Sequence, residues 1–427
     1  MVVGRFIPSA KGKLAKEHKA MAKPLDGIKV LDWAVWYAGP GATMYLGDMG
    51  AEVIKIEQPL VGDPSRGLTT LEGMSTGRSA AERAFPYVAM NRNKKCITVD
   101  ITKPRGREII YRLVSKVDVF LQNFRQSVRD NAKLDYVTLS KYNPKLIYVN
   151  VSALGPDGPD NWRRGNDYVG QARSGFMTGM TGIVGRPATL GGAIADHMTS
   201  LMTVSGILAA LLARERLGIS QEIDTSITGS MIALQHVRLT NTFHYGQEIV
   251  RADRQQIVNP LTSHYQCKDG KWIGFCILAG EVVWPDFCKA VGIEALEKDP
   301  RFENTRKRAE NSRELIDILD KVFANKTREE WVDIVGKYHR IMFSPVNEGM
   351  EVADDPQIVA NNYVVEYEQP PFGKIKSTAF PVKFHETPVG VQGPAPEFGQ
   401  HTEEVLIEMG GYSWDEIAQL KEEGVIG

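Results

Sequence analysis

The sequence lacks the compact motifs that identify several large classes of enzyme. It contains no phosphate loop of the form GxxxxGKS or GxxxxGKT, no HExxH zinc motif and no EF-hand calcium loop. It has four cysteines, and none of them forms a CxxC pair. These absences argue against a zinc site or a redox dithiol, so no metal centre is expected. The sparse, unpatterned cysteines also favour a reducing compartment, the cytoplasm.

The chain also lacks a charge excess and an apolar segment suited to a membrane. Its 51 basic and 52 acidic residues give a formal net charge of −1, which indicates neither nucleic acid nor a membrane as a partner. Residues 1–22 are basic but have no apolar core, so they predict an N-terminal arm rather than a secretory signal. The uncharged stretch 197–213 contains Ser, Thr and Gly, and a buried core helix explains it better than a membrane span.

Strand and helix signals alternate through the first half of the chain. Strands are predicted at 28–33, 51–57, 96–101, 118–122 and 146–151. Helices are predicted at 39–50, 104–117 and 128–142. This order is typical of an α/β fold in which helices cover a parallel sheet.

The sequence changes in character near residue 227. Long polar stretches, three tryptophans and a charged helical segment at 304–324 indicate a smaller domain. Segments rich in Gly and Pro return after residue 343, and the last segment, 402–421, again has a helical pattern. We therefore expect a separate small domain that begins near residue 227.

One segment of the first half imitates a dinucleotide-binding turn. A strand, a glycine turn and a helix precede a second strand that ends at Glu57, where NAD-binding proteins place a carboxylate for the ribose. However, Gly39, Gly41 and Gly47 do not follow the GxGxxG spacing, and Pro40 interrupts the turn. The segment is therefore interpreted as a turn that packs a helix closely against a strand, not as an NAD site.

Several segments, taken in their order, carry a family resemblance. The opening PLDGIKVLDWAVWYAGPGATMYLGDMGAEVIKIEQP precedes GDPSRG at 62–67, NRNKK at 91–95, DVFLQNF at 118–124 and GNDYVGQARSG at 165–175. ADHMTSLMTVSGILAALLARERLGISQEIDTSI and GQHTEEVLIEMGGY follow. Together they resemble the class III CoA-transferases of the CaiB/BaiF type, which include formyl-CoA transferase and carnitine CoA-transferase. The resemblance spans about residues 24–427, and the ordered set is specific although each motif is modest.

The resemblance implies a fold, an assembly and a set of partners. A large Rossmann-like domain, formed by residues 23–226 and 343–427, would hold CoA and the catalytic residues. Residues 227–342 would form a smaller inserted α+β domain, and two chains would interlock as a homodimer. The expected partners are an acyl-CoA and a small carboxylic acid, so a CoA thioester enters as substrate and no cofactor is bound permanently.

CoA transfer requires a carboxylate nucleophile, and Asp196 is the candidate. It follows a stretch rich in Gly and precedes an apolar helix, so a position at the helix N-cap is expected. The local pattern alone would favour a simple cap. By resemblance, however, the pattern ADxxxxxxxxxGILAAL contains the nucleophile of the family. Asp196 would then form an anhydride with the acyl group and a thioester with CoA.

Three residues in the motifs around Asp196 bear on the alternatives to CoA transfer. Asp167 aligns with an acidic position near the active site of formyl-CoA transferase, which implies a supporting role, although a cap is an equal alternative. The related α-methylacyl-CoA racemases have His where Asn166 stands, and Asn cannot shuttle a proton. His197 would substitute only if its ring faced the site, and a packed or capping histidine is commoner. Racemisation and non-catalytic CoA binding remain as alternatives to transfer.

The contacts to CoA are also implied by the resemblance. Trp36, Tyr37 and Ala38 would lie beside the pantetheine arm and the thioester. Tyr37, which replaces an active-site Gln of formyl-CoA transferase, would also support the chemistry. Asn123 and Phe124 align with positions that contact CoA. The basic residues expected at the phosphates are Arg66, Lys94, Arg125 and Arg129.

Departures from formyl-CoA transferase weigh against a formyl-CoA and oxalate pair. Thr102 replaces a Lys that contacts CoA, and the tetraglycine loop of that enzyme has no counterpart around 259–270. Several apolar side chains instead favour a larger pocket for the acid. They are Trp36, Tyr37, Phe176, Met177 and Met180. The interpretation is an aromatic or branched acceptor, of the benzylsuccinate or phenyllactate type.

Overall fold

The computed structural model describes residues 22–427 apart from 69, 72–73 and 76–84. The arm predicted for residues 1–22 therefore lies outside the described residues, except for its last residue. The described chain divides into two compact units. The first contains the residues up to Asn166, Ala193–Ser230 and Val365–Gly427, and the second contains Asp167–Gly192 and Met231–Val364.

The elements are numbered in chain order. The strands are β1 (Lys29–Trp33), β2 (Glu52–Glu57), β3 (Thr70–Leu71), β4 (Met74–Ser75), β5 (Lys94–Thr98), β6 (Val119–Gln122), β7 (Ile147–Ser152), β8 (Glu222–Ser226), β9 (His264–Gln266), β10 (Trp272–Phe275), β11 (Phe343–Val346), β12 (Val364–Gln369) and β13 (Gly373–Thr378). The helices are α1 (Ala38–Asp48), α2 (Phe85–Asn91), α3 (Pro104–Val114), α4 (Gln126–Asn131), α5 (Tyr136–Leu139), α6 (Asp167–Arg173), α7 (Phe176–Gly179), α8 (Thr181–Val184), α9 (Ile194–Leu217), α10 (Ile227–Leu234), α11 (His236–Tyr245), α12 (Gly280–Val291), α13 (Thr305–Glu310), α14 (Ser312–Phe323), α15 (Arg328–Val335), α16 (Pro356–Ala360), α17 (Thr402–Glu408) and α18 (Trp414–Glu422).

A six-stranded parallel sheet organises the first unit. Its strand order is β5-β2-β1-β6-β7-β8, and Val30 of β1 pairs with Val53 of β2 and with Val119 of β6. The chain first adds β2 and β5 on one side of β1 and then adds β6, β7 and β8 on the other side. The connections therefore diverge at the carboxyl ends of β1 and β6, which is where open parallel sheets bind their ligands.

Alternate residues along the strands supply two cores, one on each face of the sheet. Val30 and Val119 belong to the core that contains buried residues of α1 and α9. Leu31 and Phe120 belong to the core that contains buried residues of α3, α17 and α18. Because both faces are covered, the strands contain nearly continuous apolar runs, which explains why they could be predicted from sequence.

Helix α9 is long and apolar enough to cross a membrane by length and composition, with a mean hydropathy of 1.3 over 18 residues. Val204, Ile207 and Leu211 of this helix pack in the core that it shares with the sheet. A single helix of this kind is weak evidence for a membrane span, because the core helix of a globular protein passes the same test.

The second unit is built around the three-stranded antiparallel sheet β11-β10-β9. Its core contains Trp284 and Phe287 of α12, Phe323 of α14 and Trp331 of α15. The limits expected for the small domain, 227–342, differ from this unit, which also contains Asp167–Gly192 and continues to Val364.

The predicted α/β class with a parallel sheet is confirmed, and the predicted strands agree with the sheet to within about three residues. Two predicted helices were wrong in extent. The helix at 128–142 is divided into α4 and α5, because Lys133 has φ 56°. The helix at 402–421 is divided into α17 and α18, because Gly411 has φ 70°. A left-handed residue ends an α-helix, and lysine gives no sequence signal for that conformation.

Candidate active site

A short loop, residues 34–37, connects β1 to α1 at the point where the connections diverge. Trp36 in this loop has φ 66°, a conformation that is unfavourable for a bulky side chain. Asn123, which follows β6, holds the preceding residue at two points. Val35 N donates to Asn123 Oδ1 at 3.0 Å, and Asn123 Nδ2 donates to Val35 O at 2.7 Å. Asn123, predicted to contact CoA, therefore also fixes the loop.

Asp196 lies in the first turn of α9, and its side chain is buried. The prediction that Asp196 caps the helix was wrong. The N-cap is Ala193 with φ 53°, and Gly192 before it has φ 79°. These two left-handed residues turn the chain into the helix before Asp196 is reached. A carboxylate in the first turn is still favoured by the helix dipole.

Gly41 and Ser200 bring α1 and α9 into close contact. A Cβ atom on Gly41 would lie 2.5 Å from Ser200 Oγ, so this approach requires glycine. Ser200 Oγ also lies 2.8 Å from Ala38 O and 3.0 Å from Asp196 O. Asp196 comes four residues before Ser200 and so lies on the same face of α9, one turn from the contact with the amino end of α1.

Tyr37 immediately precedes α1 and interacts electrostatically with Asp196. Burial, together with the carboxylates of Asp196 and Asp63, raises the pKa of Tyr37 to about 12. The phenol is therefore neutral at physiological pH and carries a proton that it can donate. Its buried hydroxyl has no hydrogen-bond partner among the residues that the structure describes. A buried donor in this position is suited to bind a group of the substrate.

A cavity of about 610 Å³ lies at the carboxyl ends of β6 and β7 and beside Glu222 and Asp224 of β8, within the first unit. Its volume is in the range of sites for small ligands. Trp36, which is 43% exposed, supplies apolar surface. Five residues predicted to contact CoA line the cavity, namely Trp36, Asn123, Phe124, Arg125 and Arg129. The structure therefore brings these five together, although Trp36 comes from the loop after β1 and the other four come from the segment after β6 that includes α4.

Two further arginines, Arg163 and Arg164, line the same cavity and were missed in the sequence. The signal that could have identified them is the pair of adjacent arginines directly before GNDYVGQARSG. Arg163 forms an ion pair with Asp160 at 3.0 Å. The lining also includes Glu222 and Asp224 beside the four arginines. Arg129 forms an ion pair with Asp130 at 3.0 Å.

Lys94, predicted to contact a CoA phosphate, is instead buried beside α1. Its Nζ atom donates to Asp32 Oδ2 at 2.9 Å, to Pro40 O at 2.8 Å and to Asn91 Oδ1 at 2.9 Å. These bonds use all three donors of the ammonium group and leave none for a phosphate. Burial lowers the pKa of Lys94 to about 8, although Asp32 opposes the shift. The prediction for Lys94 was therefore wrong.

Arg66, the basic residue of GDPSRG, is also committed to the interior. Its Nε and Nη2 atoms each lie 2.8 Å from a carboxylate oxygen of Glu57, and its guanidinium covers the ring of Tyr87 at 3.6 Å. The residues that line the cavity do not include Arg66. The expectation that Arg66 contacts a phosphate was wrong, because the guanidinium nitrogens Nε and Nη2 already bind the carboxylate of Glu57.

Asp167 and the apolar residues expected around the acid belong to the second unit. Asp167 is the first residue of α6, where Gln171 Nε2 donates to its Oδ1 atom at 2.5 Å. Phe176 begins α7, Met177 is buried in that helix, and Met180 follows it. The supporting role of Asp167 and the acid pocket remain predictions.

The titratable side chains of the described residues form no group of three or more His, Cys, Asp or Glu that could hold a metal ion. The cavity presents guanidinium and amide groups instead. Such donors are suited to phosphates and carboxylates.

Comparisons with known proteins identify the same family as the sequence motifs. The family described as CoA-transferase family III matches residues 25–402. Succinyl-CoA:glutarate CoA-transferase of Mus musculus is 32% identical over 409 residues, which cover 95% of this chain and 90% of that protein. Succinyl-CoA--D-citramalate CoA-transferase of Chloroflexus aurantiacus is 31% identical over 408 residues and covers 95% and 98%. A crystal structure of a CAIB/BAIF family protein from Brucella suis matches with a TM-score of 0.80 and 29% identity over 91% of this chain and 100% of that chain.

The fold, the arginine-lined cavity and these relatives define an α/β enzyme that transfers CoA. The chain belongs to CoA-transferase family III, as its ordered motifs predicted. Its substrates include CoA thioesters.

Proposed function

We propose that the enzyme moves CoA from an acyl-CoA to a carboxylic acid through covalent intermediates on Asp196. The observation that carries the proposal is a buried carboxylate in the first turn of α9, on the helix face that contacts the start of α1. The helix dipole favours a negative charge at this position, which a nucleophilic carboxylate requires. The neutral phenol of Tyr37 interacts with the same carboxylate and supplies a donor beside it.

The reaction is balanced without water or a redox partner. An oxygen of Asp196 attacks the thioester carbonyl, the carbon–sulfur bond breaks, and CoA leaves as a thiolate. The thiolate attacks the aspartyl carbonyl of the anhydride, forms an aspartyl-CoA thioester and releases the first acid as a carboxylate. The acceptor carboxylate then attacks this thioester, and the same two steps in reverse order yield the new acyl-CoA and free Asp196. Each step exchanges one activated acyl bond for another.

Each attack develops negative charge on a carbonyl oxygen, which backbone amides can stabilise. The amides of Ala38 and Gly39 lie in the first turn of α1, where helix amides have no acceptor within the helix. They are close to the contact between Ala38 and Ser200 on the nucleophile's helix. We assign these amides to the oxyanion, and the phenol of Tyr37 to a supporting donor role.

The cavity at the carboxyl ends of β6 and β7 is the proposed site for CoA. Arg125, Arg129, Arg163 and Arg164 supply positive charge for the phosphates, and Phe124 supplies an apolar wall. Trp36 lines this cavity and directly precedes Tyr37, which interacts with Asp196. The pantetheine arm would therefore pass Trp36 on its way to Asp196. Ala38 remains the predicted contact at the thioester end.

We propose an aromatic or branched acceptor acid of the benzylsuccinate or phenyllactate type. The exposed indole of Trp36 at the cavity supports this proposal. The acids named in the relatives fall into two groups, and the test compares these groups as acceptors. Cinnamoyl-CoA:phenyllactate CoA-transferase of Clostridium sporogenes is 28% identical over 93% of this chain, whereas the Mus musculus relative is named for glutarate, an unbranched aliphatic acid. A screen of both acid classes as acceptors, followed by mass spectrometry of the CoA products, decides between them.

The covalent mechanism is tested by trapping. The enzyme is incubated with an acyl-CoA, the activated ester is captured with hydroxylamine, and the peptides are analysed by mass spectrometry. We expect a hydroxamate on Asp196 and a loss of transfer of at least about 1000-fold in Asp196→Ala. Asp118→Asn, which changes an aspartate at the amino end of β6, is the matched control. Full transfer by Asp196→Ala would refute the proposal.

The same experiment separates the two alternatives. Exchange of the α-proton with deuterated water, without a covalent label, would indicate racemisation. Asn166, which cannot shuttle a proton, argues against that outcome. Binding of acyl-CoA without either signal would indicate a non-catalytic protein.

The assembly and location are part of the proposal. We expect an interlocked homodimer in the cytoplasm, with a Rossmann-like large domain at 23–226 and 343–427. Light scattering on the purified full chain measures the oligomeric state, and a monomer that retains full transfer would contradict the expected assembly.

A further inference from the structure

Asp63, the acidic residue of GDPSRG, lies buried beside the loop 34–37 rather than in the cavity. Its Oδ1 atom accepts hydrogen bonds from Ser65 N at 2.9 Å, Ser65 Oγ at 2.7 Å and Trp36 N at 3.2 Å. Its Oδ2 atom lies 2.9 Å from Lys55 Nζ, and both side chains of this ion pair are fully buried. One carboxylate thus connects the turn after β2 with the backbone of Trp36.

Lys55 reaches the same loop from β2 at a second point. Its Nζ atom donates to Ala34 O at 2.7 Å. The ion pair therefore holds the residues on both sides of Val35, while Asn123 holds Val35 itself. Asp63 and the neighbouring buried acids keep Lys55 charged, because they raise its pKa against the effect of burial.

The residue that this ion pair holds is strained. Trp36 has φ 66°, and an L-residue with a bulky side chain rarely adopts this region without external restraint. Trp36 carries the indole that lines the cavity, and the next residue, Tyr37, is the N-cap of α1. Relaxation of Trp36 to negative φ would turn its side chain away and change the direction in which the chain enters α1.

We propose that Asp63, supported by Lys55, is a positioning residue that keeps Trp36 left-handed and thereby sets the indole and Tyr37 relative to Asp196. The proposal rests on the role assigned above to Asp196. Asp63 touches no reacting atom and acts through the backbone of the loop. Its removal therefore affects the rate of the chemical steps more than the affinity for CoA, because the arginines of the cavity are unchanged.

The experiment compares the same substitution in two buried ion pairs. Asp63→Asn removes the charge beside the loop, and Asp48→Asn removes the charge of the Asp48–Arg92 pair, which has no bond to residues 34–37. We expect kcat for transfer to fall about 10- to 100-fold in Asp63→Asn, with KM for the acyl-CoA changed less than about threefold. Asp48→Asn keeps kcat within about twofold when rates are expressed per folded molecule.

Fluorine NMR measures the position of the indole directly. The protein is labelled with 5-fluorotryptophan, and the resonance of Trp36 among the seven tryptophans is assigned with Trp36→Phe. We expect this resonance to shift or broaden in Asp63→Asn and to stay unchanged in Asp48→Asn. An unchanged resonance, or equal losses of kcat in the two variants, would overturn the proposal.

Two further variants keep the outcome interpretable. If Asp63→Asn does not fold, the double variant Asp63→Asn/Lys55→Met removes both charges together, which avoids an unpaired ammonium in the interior, and is measured in its place. If Asp196→Ala retains transfer, the assigned nucleophile is wrong, whereas the resonance of Trp36 still reports whether Asp63 holds the loop. The two failures are therefore distinguishable.

Discussion

Helix α1 has a buried ion pair beside each of its ends, and the two pairs differ in what else they bind. At the carboxyl end, Arg92 donates to Asp48 through Nε at 2.9 Å and Nη2 at 2.6 Å, and Asn93 Nδ2 donates to the same carboxylate at 2.7 Å. These bonds tie the end of α1 to the turn before β5. The bonds join side chains to one another and hold two elements together.

At the amino end, Lys55 and Asp63 each form a further hydrogen bond to the backbone of a strained loop. The two pairs are equally buried, so burial alone does not distinguish them. The role of a buried ion pair is therefore decided by the other groups that it binds. One pair contributes to stability, and the other also determines the geometry of a site.

The largest expected effect tests the pair at the carboxyl end. Arg92→Met leaves the carboxylate of Asp48 buried without its ion partner, so we expect the free energy of unfolding to fall by about 3–5 kcal/mol. Transfer per folded molecule should change less than about twofold. Urea titration measures the first quantity and steady-state kinetics the second. A large loss of kcat with an unchanged free energy of unfolding would contradict the different roles assigned to the ion pairs at the two ends of α1.

The second effect uses pH to examine the amino end. Burial opposes ionisation of Glu57, but the hydrogen bonds from Arg66 and the charge of Lys55 outweigh it and lower the pKa of Glu57 from 4.5 to about 2. Glu57 Oε2 accepts from Asp63 N at 2.8 Å, so this acid belongs to the same network. A depressed pKa contributes stability above pH 4.5 that is lost as pH falls towards 2.

We expect this contribution to be about 3 kcal/mol. Denaturant unfolding of the wild type at several pH values between 2 and 7 should show the loss. In Glu57→Gln, the free energy of unfolding should depend less on pH between 2 and 4.5. Equal slopes for the wild type and the variant would show that Glu57 does not carry the acid sensitivity of this end.

The smallest effect concerns the amide that holds Val35. Asn123→Ala removes two hydrogen bonds to the loop, so we expect a loss of about 1–2 kcal/mol in stability and of about tenfold in kcat. Asn143→Ala is the matched control, because Asn143 Nδ2 donates to the carbonyl groups of Val114 and Val117 at the other end of the strands. The control should lose stability alone. Equal rates for the two variants would show that Val35 needs no anchor.

The sheet could be predicted from the sequence because its strands are buried on both faces and form continuous apolar runs. Helix α9, which carries Asp196, was also predicted, but its start was misplaced. The helix starts after Ala193, which adopts a left-handed conformation that alanine rarely takes. The sequence contains no signal for this conformation. The division of the helix at 128–142 was missed for the same reason, since Lys133 is left-handed as well.

The basic residues of the site were only partly predictable. Arg125 and Arg129 line the cavity, whereas Lys94 and Arg66 are bound to interior carboxylates. A basic residue in a motif does not reveal whether its partner is a ligand or a side chain far away in the sequence. Asp32, the partner of Lys94, lies 62 positions before it, and only the pairing of the strands brings them together.

Gly41 has a consequence for how such an enzyme could change its substrate. The spacing between α1 and α9 depends on one absent methyl group, because any side chain at this position would collide with Ser200 Oγ. Position 41 is therefore closed to gradual variation, while the exposed indole at position 36 is open to it. Exposed side chains such as this indole can be exchanged one at a time, whereas the spacing between α1 and α9 cannot be altered in small steps.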